Sequence, residues 1–137
     1  MKTFYATVLI LALWIIFSGS ARQNYTEWIA PAYADTLKNP FLKDAKIISE
    51  GKKIYESACW TCHGLDGKGA GPAAAKLNPN PADHTSGKIQ MQSDGAIFWK
   101  ISKGRGEMLP MEKSLSKQQR WKLVCYIREL GKQNGTQ

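Results

Sequence analysis

Three residues with reactive side chains fall within five positions of this sequence, in the segment Cys59-Trp60-Thr61-Cys62-His63. Two thiols and an imidazole at this spacing can support three kinds of chemistry. The thiol pair could act as a dithiol redox couple, or it could supply two of the four ligands of a zinc ion. The thiols could instead bond to the two vinyl groups of a haem, with His63 ligating the iron.

The surroundings of this segment favour haem attachment. Two intervening residues let both thiols reach the vinyl groups along one haem edge, and the imidazole that follows can reach the iron. A thioredoxin-like site needs a strand–helix scaffold, which the sequence does not predict. A zinc site would have to draw on His63, His84 or Cys125, because no second Cys-x-x-Cys pair occurs.

Two methionines are candidates for the other axial position of the iron. Haem electron carriers commonly pair a histidine ligand with a methionine. Met108 and Met111 flank Leu109-Pro110 in a predicted loop between two helices. Either thioether could reach the haem face opposite His63, and either could simply fill apolar space.

The segment before the paired thiols is predicted to be an amphipathic helix. Asp44 is its expected N-cap, and apolar residues at helical spacing continue to about Cys59. Gly51 lies on the apolar face, where the missing side chain would let another backbone approach closely. After the helix, eight glycines and prolines are spread over residues 64–92, which predicts a long loop for most of this segment. A loop of this length is reasonable in a compact domain if it wraps a large apolar cofactor.

Two further helices are predicted after this loop. A short helix, capped by Ser93, runs through Ser102. Ser116 and Gln119 form a capping box for a last helix over 117–130, which Gly131 is expected to end. With no strand pairs and no internal repeat, the sequence predicts an all-α fold of about three to five helices. Cys125 is expected to be a semi-buried filler and His84 a solvated loop residue.

The N-terminus has the pattern of an export signal. Lys2 precedes an apolar stretch over 4–17, and small residues lead to a cleavage site after Ala21. An uncleaved membrane anchor is the alternative. Either reading predicts an exported protein, in the periplasm or on the outer face of the cytoplasmic membrane. The predicted division of the chain is a signal peptide 1–21, an extended lead-in 22–43, a haem-binding domain 44–131 and a C-terminal tail 132–137.

The charge balance restricts the partners. The net charge of +8 comes from 19 basic and 11 acidic residues, which are spread along the chain. Nucleic acid is not an expected partner, because no arginine-rich arm or interleaving of aromatic and basic residues occurs. A diffuse positive surface favours acidic docking surfaces on redox proteins, or an anionic membrane face.

From about Asn39 to Leu130 the sequence resembles a bacterial single-domain class I cytochrome c. The matching segments are Gly51–Tyr55, Cys59–His63, Gly64–Pro72, Asp94–Trp99, Gly104–Met108 and Arg120–Ile127. The resemblance implies one covalently attached haem c and a one-electron carrier between respiratory partners, not an enzyme. Two alternatives stay open: a subunit of a membrane oxidoreductase, and a haem enzyme or sensor with an open sixth iron position.

The same resemblance implies roles for individual residues. The carbonyl of Pro72 would accept a hydrogen bond from the imidazole of His63, and Leu77 would line the haem pocket. Trp99 and Arg105 would contact the haem propionates.

The resemblance also bears on helix packing and on the axial methionine. Gly51 and Tyr55 would meet Leu123 and Tyr126 where the first and last helices cross. The pattern Gly-x-Gly-x-Met favours Met108 as the axial ligand, with Met111 as the alternate because Leu109 separates Met108 from the proline that usually follows it.

Overall fold

The computed structural model describes residues 27–41 and 44–134. Within these ranges the chain forms five α-helices and three short 3-10 helices, and it contains no β-strand. The α-helices are α1 (Ala45–Ala58), α2 (Trp60–His63), α3 (Gly87–Gln90), α4 (Asp94–Lys103) and α5 (Lys117–Asn134), and the 3-10 helices are Ala32–Thr36, Ala74–Lys76 and Met111–Lys113. The predicted all-α class is confirmed. The predicted signal peptide, 1–21, lies outside the described residues.

The starts of the three longer helices are set by local capping, as predicted. The Asp44 carboxylate accepts a hydrogen bond from the Ile47 backbone N–H at 2.8 Å, and α1 begins after it. The Ser93 hydroxyl caps α4 in the same way. At α5, the backbone N–H of Ser116 donates to the Gln119 side chain at 2.9 Å, and the N–H of Gln119 donates to the Ser116 hydroxyl at 3.2 Å.

The predicted end of the last helix is wrong. α5 continues through Gly131 to Asn134. A β-carbon on Gly131 would collide with the side chain of Gln90 in α3, so this glycine permits a close contact between helices instead of ending one.

The crossing of α1 and α5 forms the centre of the fold. A β-carbon on Gly51 would collide with the carbonyl oxygen of Lys122, so the two backbones touch where the sequence predicted a close approach. The rings of Tyr55 and Tyr126 meet edge to face beside this point, with centroids 5.2 Å apart. The buried core around the crossing consists of Tyr55 on α1, Ile97, Phe98 and Ile101 on α4, and Trp121, Leu123, Val124, Tyr126, Ile127 and Leu130 on α5.

The lead-in packs onto α4. The part that is described forms the 3-10 helix Ala32–Thr36 instead of being extended throughout, and Ala34 is fully buried. The hydroxyl of Ser93 donates a hydrogen bond to Asp35, which ties the lead-in to the cap of α4. Cys125 is fully buried on α5 and accepts a hydrogen bond from the Asn39 amide at 3.2 Å, so it is more enclosed than the sequence indicated.

Among the residues that the structure describes, no helix combines the length and apolar character needed to cross a membrane.

Candidate functional site

The paired thiols lie on one helical turn. Cys59 separates α1 from α2, and its carbonyl accepts hydrogen bonds from the backbone N–H groups of Cys62, at 3.2 Å, and His63, at 3.0 Å. Residues three apart in a helical turn are neighbours on one side of it. Both thiols are half-buried and neither is in a disulfide. The turn therefore presents two free thiols and an imidazole within one short segment.

The ionisation of Cys59 argues against a dithiol redox site. Burial, and to a smaller extent the neighbouring Cys62, raises the pKa of the Cys59 thiol to about 12. Catalytic cysteines in dithiol oxidoreductases are instead thiolates of lowered pKa. The zinc alternative also lacks support, because no group of three His, Cys, Asp or Glu side chains converges within 27–41 and 44–134.

The imidazole of His63 is held in a form suited to ligating a metal. Its Nδ1 atom lies 2.9 Å from the carbonyl oxygen of Ala82. A carbonyl can only accept, so Nδ1 carries the proton and Nε2 keeps its lone pair. Burial lowers the pKa of His63, against a smaller raising effect of the Ala82 hydrogen bond, which favours the neutral ring. His63 therefore offers Nε2 as a ligand.

The predicted hydrogen-bond acceptor for His63 is wrong in this structure: the carbonyl belongs to Ala82 and not to Pro72. The backbone N–H of Gly69 donates to the His63 carbonyl at 2.8 Å, and Gly69 packs directly against Pro81. These contacts bring Ala82 to the imidazole. Pro72 is exposed, although its neighbours on either side bond to the backbone of the attachment turn.

His84 is buried, which corrects the expectation that it is solvated. Its ring stacks on that of His63, with centroids 4.1 Å apart and an angle of 17° between the planes. Its Nδ1 atom lies 3.3 Å from the hydroxyl of Tyr55. Burial, and to a smaller extent the neighbouring His63, lowers the pKa of His84 well below its ordinary value.

The sequence around His84 carries a turn signal but no sign of burial. The Asp83 carboxylate accepts hydrogen bonds from the backbone N–H of Thr85, at 2.8 Å, and from its hydroxyl, at 2.7 Å. Asp-x-Thr predicts such a local turn. The inward direction of the imidazole depends on Tyr55, 29 residues earlier in the chain, and no local pattern reports it.

Both candidate methionines pack against the core. Met108 and Met111 are half-buried, whereas Leu109 between them is 69% exposed. Arg105 and Met108 exchange backbone hydrogen bonds of 2.9 and 3.1 Å, which closes a tight loop. Both methionines therefore pack at the core, and Met108 stays the predicted ligand with Met111 as the alternate.

Three residues remain among the predicted haem contacts: Leu77, Trp99 and Arg105. Leu77 is half-buried at the end of a 3-10 helix. The indole N–H of Trp99 donates to the hydroxyl of Tyr33 at 2.9 Å, and the guanidinium of Arg105 lies 5.2 Å from the ring centroid of Trp28. Trp99 and Arg105 thus both touch the lead-in, a contact that the sequence did not predict. Their roles toward propionates stay predictions.

These donors fit a covalently held haem. Two free thiols lie on one turn, the neutral imidazole next to them has an unprotonated Nε2, and two thioethers pack at the core. Thioether bonds from both cysteines and a His/Met pair on the iron require this set of groups.

Comparisons with known proteins agree with this fit. Residues 48–131, which are more than half of the chain, match the family model for cytochrome c. Among solved structures, one similar chain comes from the reducing HAO-like protein complex Kustc0457/Kustc0458 of Kuenenia stuttgartiensis. It is 32% identical with a TM-score of 0.61, and the match covers 69% of this chain and 49% of that chain. The present chain thus matches about half the length of that neighbour. No curated protein matches the present chain.

Proposed function

This chain belongs to the cytochrome c family, and we propose that it carries single electrons between redox proteins through one haem held by Cys59, Cys62 and His63. The family implies a covalently bound haem c and haem-based electron transfer. One observation carries the proposal: two free thiols share a helical turn with an imidazole whose Nδ1 proton is held by the Ala82 carbonyl.

Each group of the site has a separate task in this proposal. When bound, the haem supplies an iron that alternates between the ferrous and ferric states. The carbonyl of Ala82 fixes the tautomer of His63 and makes its Nε2 a stronger donor. Met108 would supply a thioether ligand, which would favour a high reduction potential.

Covalent attachment is tested by the visible spectrum of the protein under denaturing conditions, together with its intact mass. We expect wild type and Cys125→Ala to retain haem, and the double variant Cys59→Ala/Cys62→Ala to lose it. Cys125 is a matched control because it is a thiol of the same chain, buried on α5. Release of haem from the denatured wild type would contradict the proposal.

The axial methionine is tested by two variants. Met108→Ala should abolish the charge-transfer band of sulphur-ligated ferric haem and open the reduced iron to carbon monoxide, and Met111→Ala should do neither. The opposite pattern would assign the ligand to Met111. Carbon monoxide binding by the reduced wild type would favour a haem enzyme or sensor with an open position.

The net charge of +8 supports docking to redox proteins with acidic surfaces. Electrostatic steering raises association rates at low ionic strength and is screened by salt. The rate of electron transfer to an acidic partner should therefore fall as salt rises, while the rate with an uncharged small mediator stays constant. A rate with the acidic partner that does not depend on salt would contradict steering.

We further propose that the protein is exported, since the apolar stretch 4–17 and the small residues after it have the pattern of a signal peptide. The protein would then be periplasmic, or held at the outer face of the membrane if the segment is retained. Cell fractionation with intact mass tests both versions. A mass that begins after Ala21 supports cleavage, and recovery from the cytoplasm contradicts export.

A second candidate function is an electron-transfer subunit of a larger oxidoreductase. It is favoured by the structural neighbour, a chain of a complex described as a reducing HAO-like protein complex. A fixed subunit should co-purify with its partners through a high-salt wash, and a free carrier should separate from them.

A further inference from the structure

Residues 82–84 hold the imidazole of His63 from two directions. The carbonyl of Ala82 lies 2.9 Å from Nδ1, at the edge of the ring. The ring of His84 covers a face of the same imidazole, with 4.1 Å between centroids and 17° between planes. One turn of the loop therefore supplies both an edge contact and a face contact.

His84 is itself fixed at several points. Its backbone N–H donates to the Gly67 carbonyl at 2.7 Å, and its carbonyl accepts from the Gln90 side chain at 2.6 Å. The same Gln90 amide also donates to the Ile127 carbonyl on α5 at 3.0 Å. These bonds anchor the backbone of His84 to both the loop and a long helix.

The ring of His84 is oriented by Tyr55. The Tyr55 hydroxyl donates its single proton to the carbonyl of Gly64 at 3.0 Å. Toward His84, 3.3 Å away, this hydroxyl can therefore only accept, so Nδ1 of His84 carries a proton. This network fixes the tautomer and the ring plane of His84, a residue that is 9% exposed.

The two contacts restrict different motions of His63. A hydrogen bond to Nδ1 holds one atom at the edge of the imidazole, and it opposes a tilt of the ring plane only weakly because it acts at that edge alone. A flat ring stacked on the face of the imidazole opposes such a tilt directly. We propose that His84 is a positioning residue that sets the plane of the His63 imidazole, an inference that rests on the proposed role of His63 as iron ligand.

The plane of an axial imidazole has a spectroscopic consequence. In ferric low-spin haem, the orientation of the ligand π orbital determines how unpaired spin is distributed over the porphyrin. The spacing of the haem methyl resonances in the proton NMR spectrum reports this distribution. It responds to ring orientation, and a loss of stability alone does not move it.

The test compares two substitutions of similar size in the holoprotein. His84→Phe keeps a flat ring, whereas His84→Leu does not, and both lose the hydrogen bond to Tyr55. We expect His84→Phe to retain the wild-type spacing of the haem methyl resonances and His84→Leu to change it. If His84→Leu does not assemble, His84→Met provides the same contrast. Ser93→Ala, which removes the cap of α4, should lower stability without changing the spacing.

The proposal is overturned if His84→Leu or His84→Met keeps the wild-type spacing, or if His84→Phe shows the same change as they do. A failure of the proposed function looks different. In that case the wild type itself would lack covalent haem, or would lack the spectrum of low-spin ferric haem, before any variant is compared.

Discussion

The crossing of α1 and α5 and the loop 64–86, which precedes α3, are built on different principles. At the crossing, regular helices touch backbone to backbone through Gly51, and buried side chains surround the contact. In the loop, single hydrogen bonds hold irregular backbone in place, such as the 2.7 Å bond from the N–H of His84 to the carbonyl of Gly67. Tyr55 joins the two regions, because its ring packs on Tyr126 of α5 and its hydroxyl bonds to the loop.

This difference indicates a division of roles. Damage at the crossing should lower the stability of the whole domain, because the core is assembled around it. Damage in the loop should change the surroundings of His63, because Ala82 and His84 both belong to the loop. Substitutions in each region therefore separate stability from the properties of the haem.

Gly51→Ala should have the largest effect. A β-carbon there would collide with the Lys122 carbonyl and lie 3.0 Å from the β-carbon of Tyr126. Because the obstacle is backbone, we expect a loss of about 3 kcal/mol or more in the free energy of unfolding, at the upper end of overpacking costs. Denaturant unfolding of the holoprotein measures this loss.

Gly87→Ala is the matched control for this substitution. A β-carbon on Gly87, in α3, meets no atom within 4 Å. We expect the free energy of unfolding to rise by less than about 1 kcal/mol, since alanine restricts the unfolded chain. Equal losses in both variants would show that the crossing has no special packing requirement.

Gly69→Ala should perturb the loop. Gly69 has a φ of +76°, and a β-carbon there would collide with the Pro81 carbonyl. We expect the free energy of unfolding to fall by about 2 kcal/mol, because alanine disfavours the left-handed conformation and its β-carbon meets the carbonyl. The reduction potential should also rise, because moving Ala82 away from His63 weakens the imidazole as a donor.

Gly106→Ala isolates the conformational part of this cost. Gly106 has a φ of +58°, but a β-carbon there meets no atom within 4 Å. We expect the free energy of unfolding to fall by about 1 kcal/mol, from the backbone conformation alone. An unchanged potential in Gly69→Ala would mean that the loop does not control the surroundings of His63.

Features that depend on near neighbours in sequence could be predicted. Asp44 and Ser93 cap helices by bonding to backbone three residues later, so a short pattern contains both partners. The grouping of Cys59, Cys62 and His63 is guaranteed by adjacency. The close approach at Gly51 was predictable because a glycine on an apolar helix face has few other uses.

The predictions that proved wrong share a cause: each concerns a contact between residues that are distant in sequence. The imidazole of His63 bonds to a carbonyl 19 residues later, and His84 is buried through a contact with a tyrosine 29 residues earlier. Gly131 was predicted to end α5, yet it packs against Gln90 in another helix. A glycine, a histidine or a backbone carbonyl carries no local signal of such a contact.

Tyr55→Phe tests the link between the two regions. The variant keeps the ring at the crossing but leaves the Gly64 carbonyl and the His84 ring without the hydroxyl. Loss of a partner by buried polar groups costs about 1–3 kcal/mol, and we expect a value near the lower end because the rings remain packed. Thermal and denaturant unfolding both measure it.

Tyr126→Phe is the control for the hydroxyl. Its ring packs on that of Tyr55, and no hydrogen bond from its hydroxyl to another described residue is found. We expect the free energy of unfolding to change by no more than about 0.5 kcal/mol. If both variants lose the same stability, the hydroxyl of Tyr55 does not connect the regions.

The smallest expected effect concerns the ion pair between Glu50 and Lys122, which joins α1 to α5 at the crossing. The hydrogen bond from the Lys122 ammonium holds the pKa of Glu50 below its ordinary value. A carboxylate with a lowered pKa in the native state stabilises the protein above its ordinary pKa of about 4.3, and this contribution is lost as the pH falls through the native pKa. Glu50→Gln should therefore be slightly less stable than wild type at neutral pH and equal to it in acid.

The pair Lys52–Glu56 provides the control, because it lies on the exposed face of α1 with 3.7 Å between the charged atoms. Exposed pairs of this kind contribute little, so Glu56→Gln should match wild type throughout. Neither variant should alter the visible spectrum or the reduction potential, because both substitutions leave the loop and its contacts with His63 intact. A shifted potential in Glu50→Gln would show that the crossing also controls the haem, and the division between scaffold and site would then have to be abandoned.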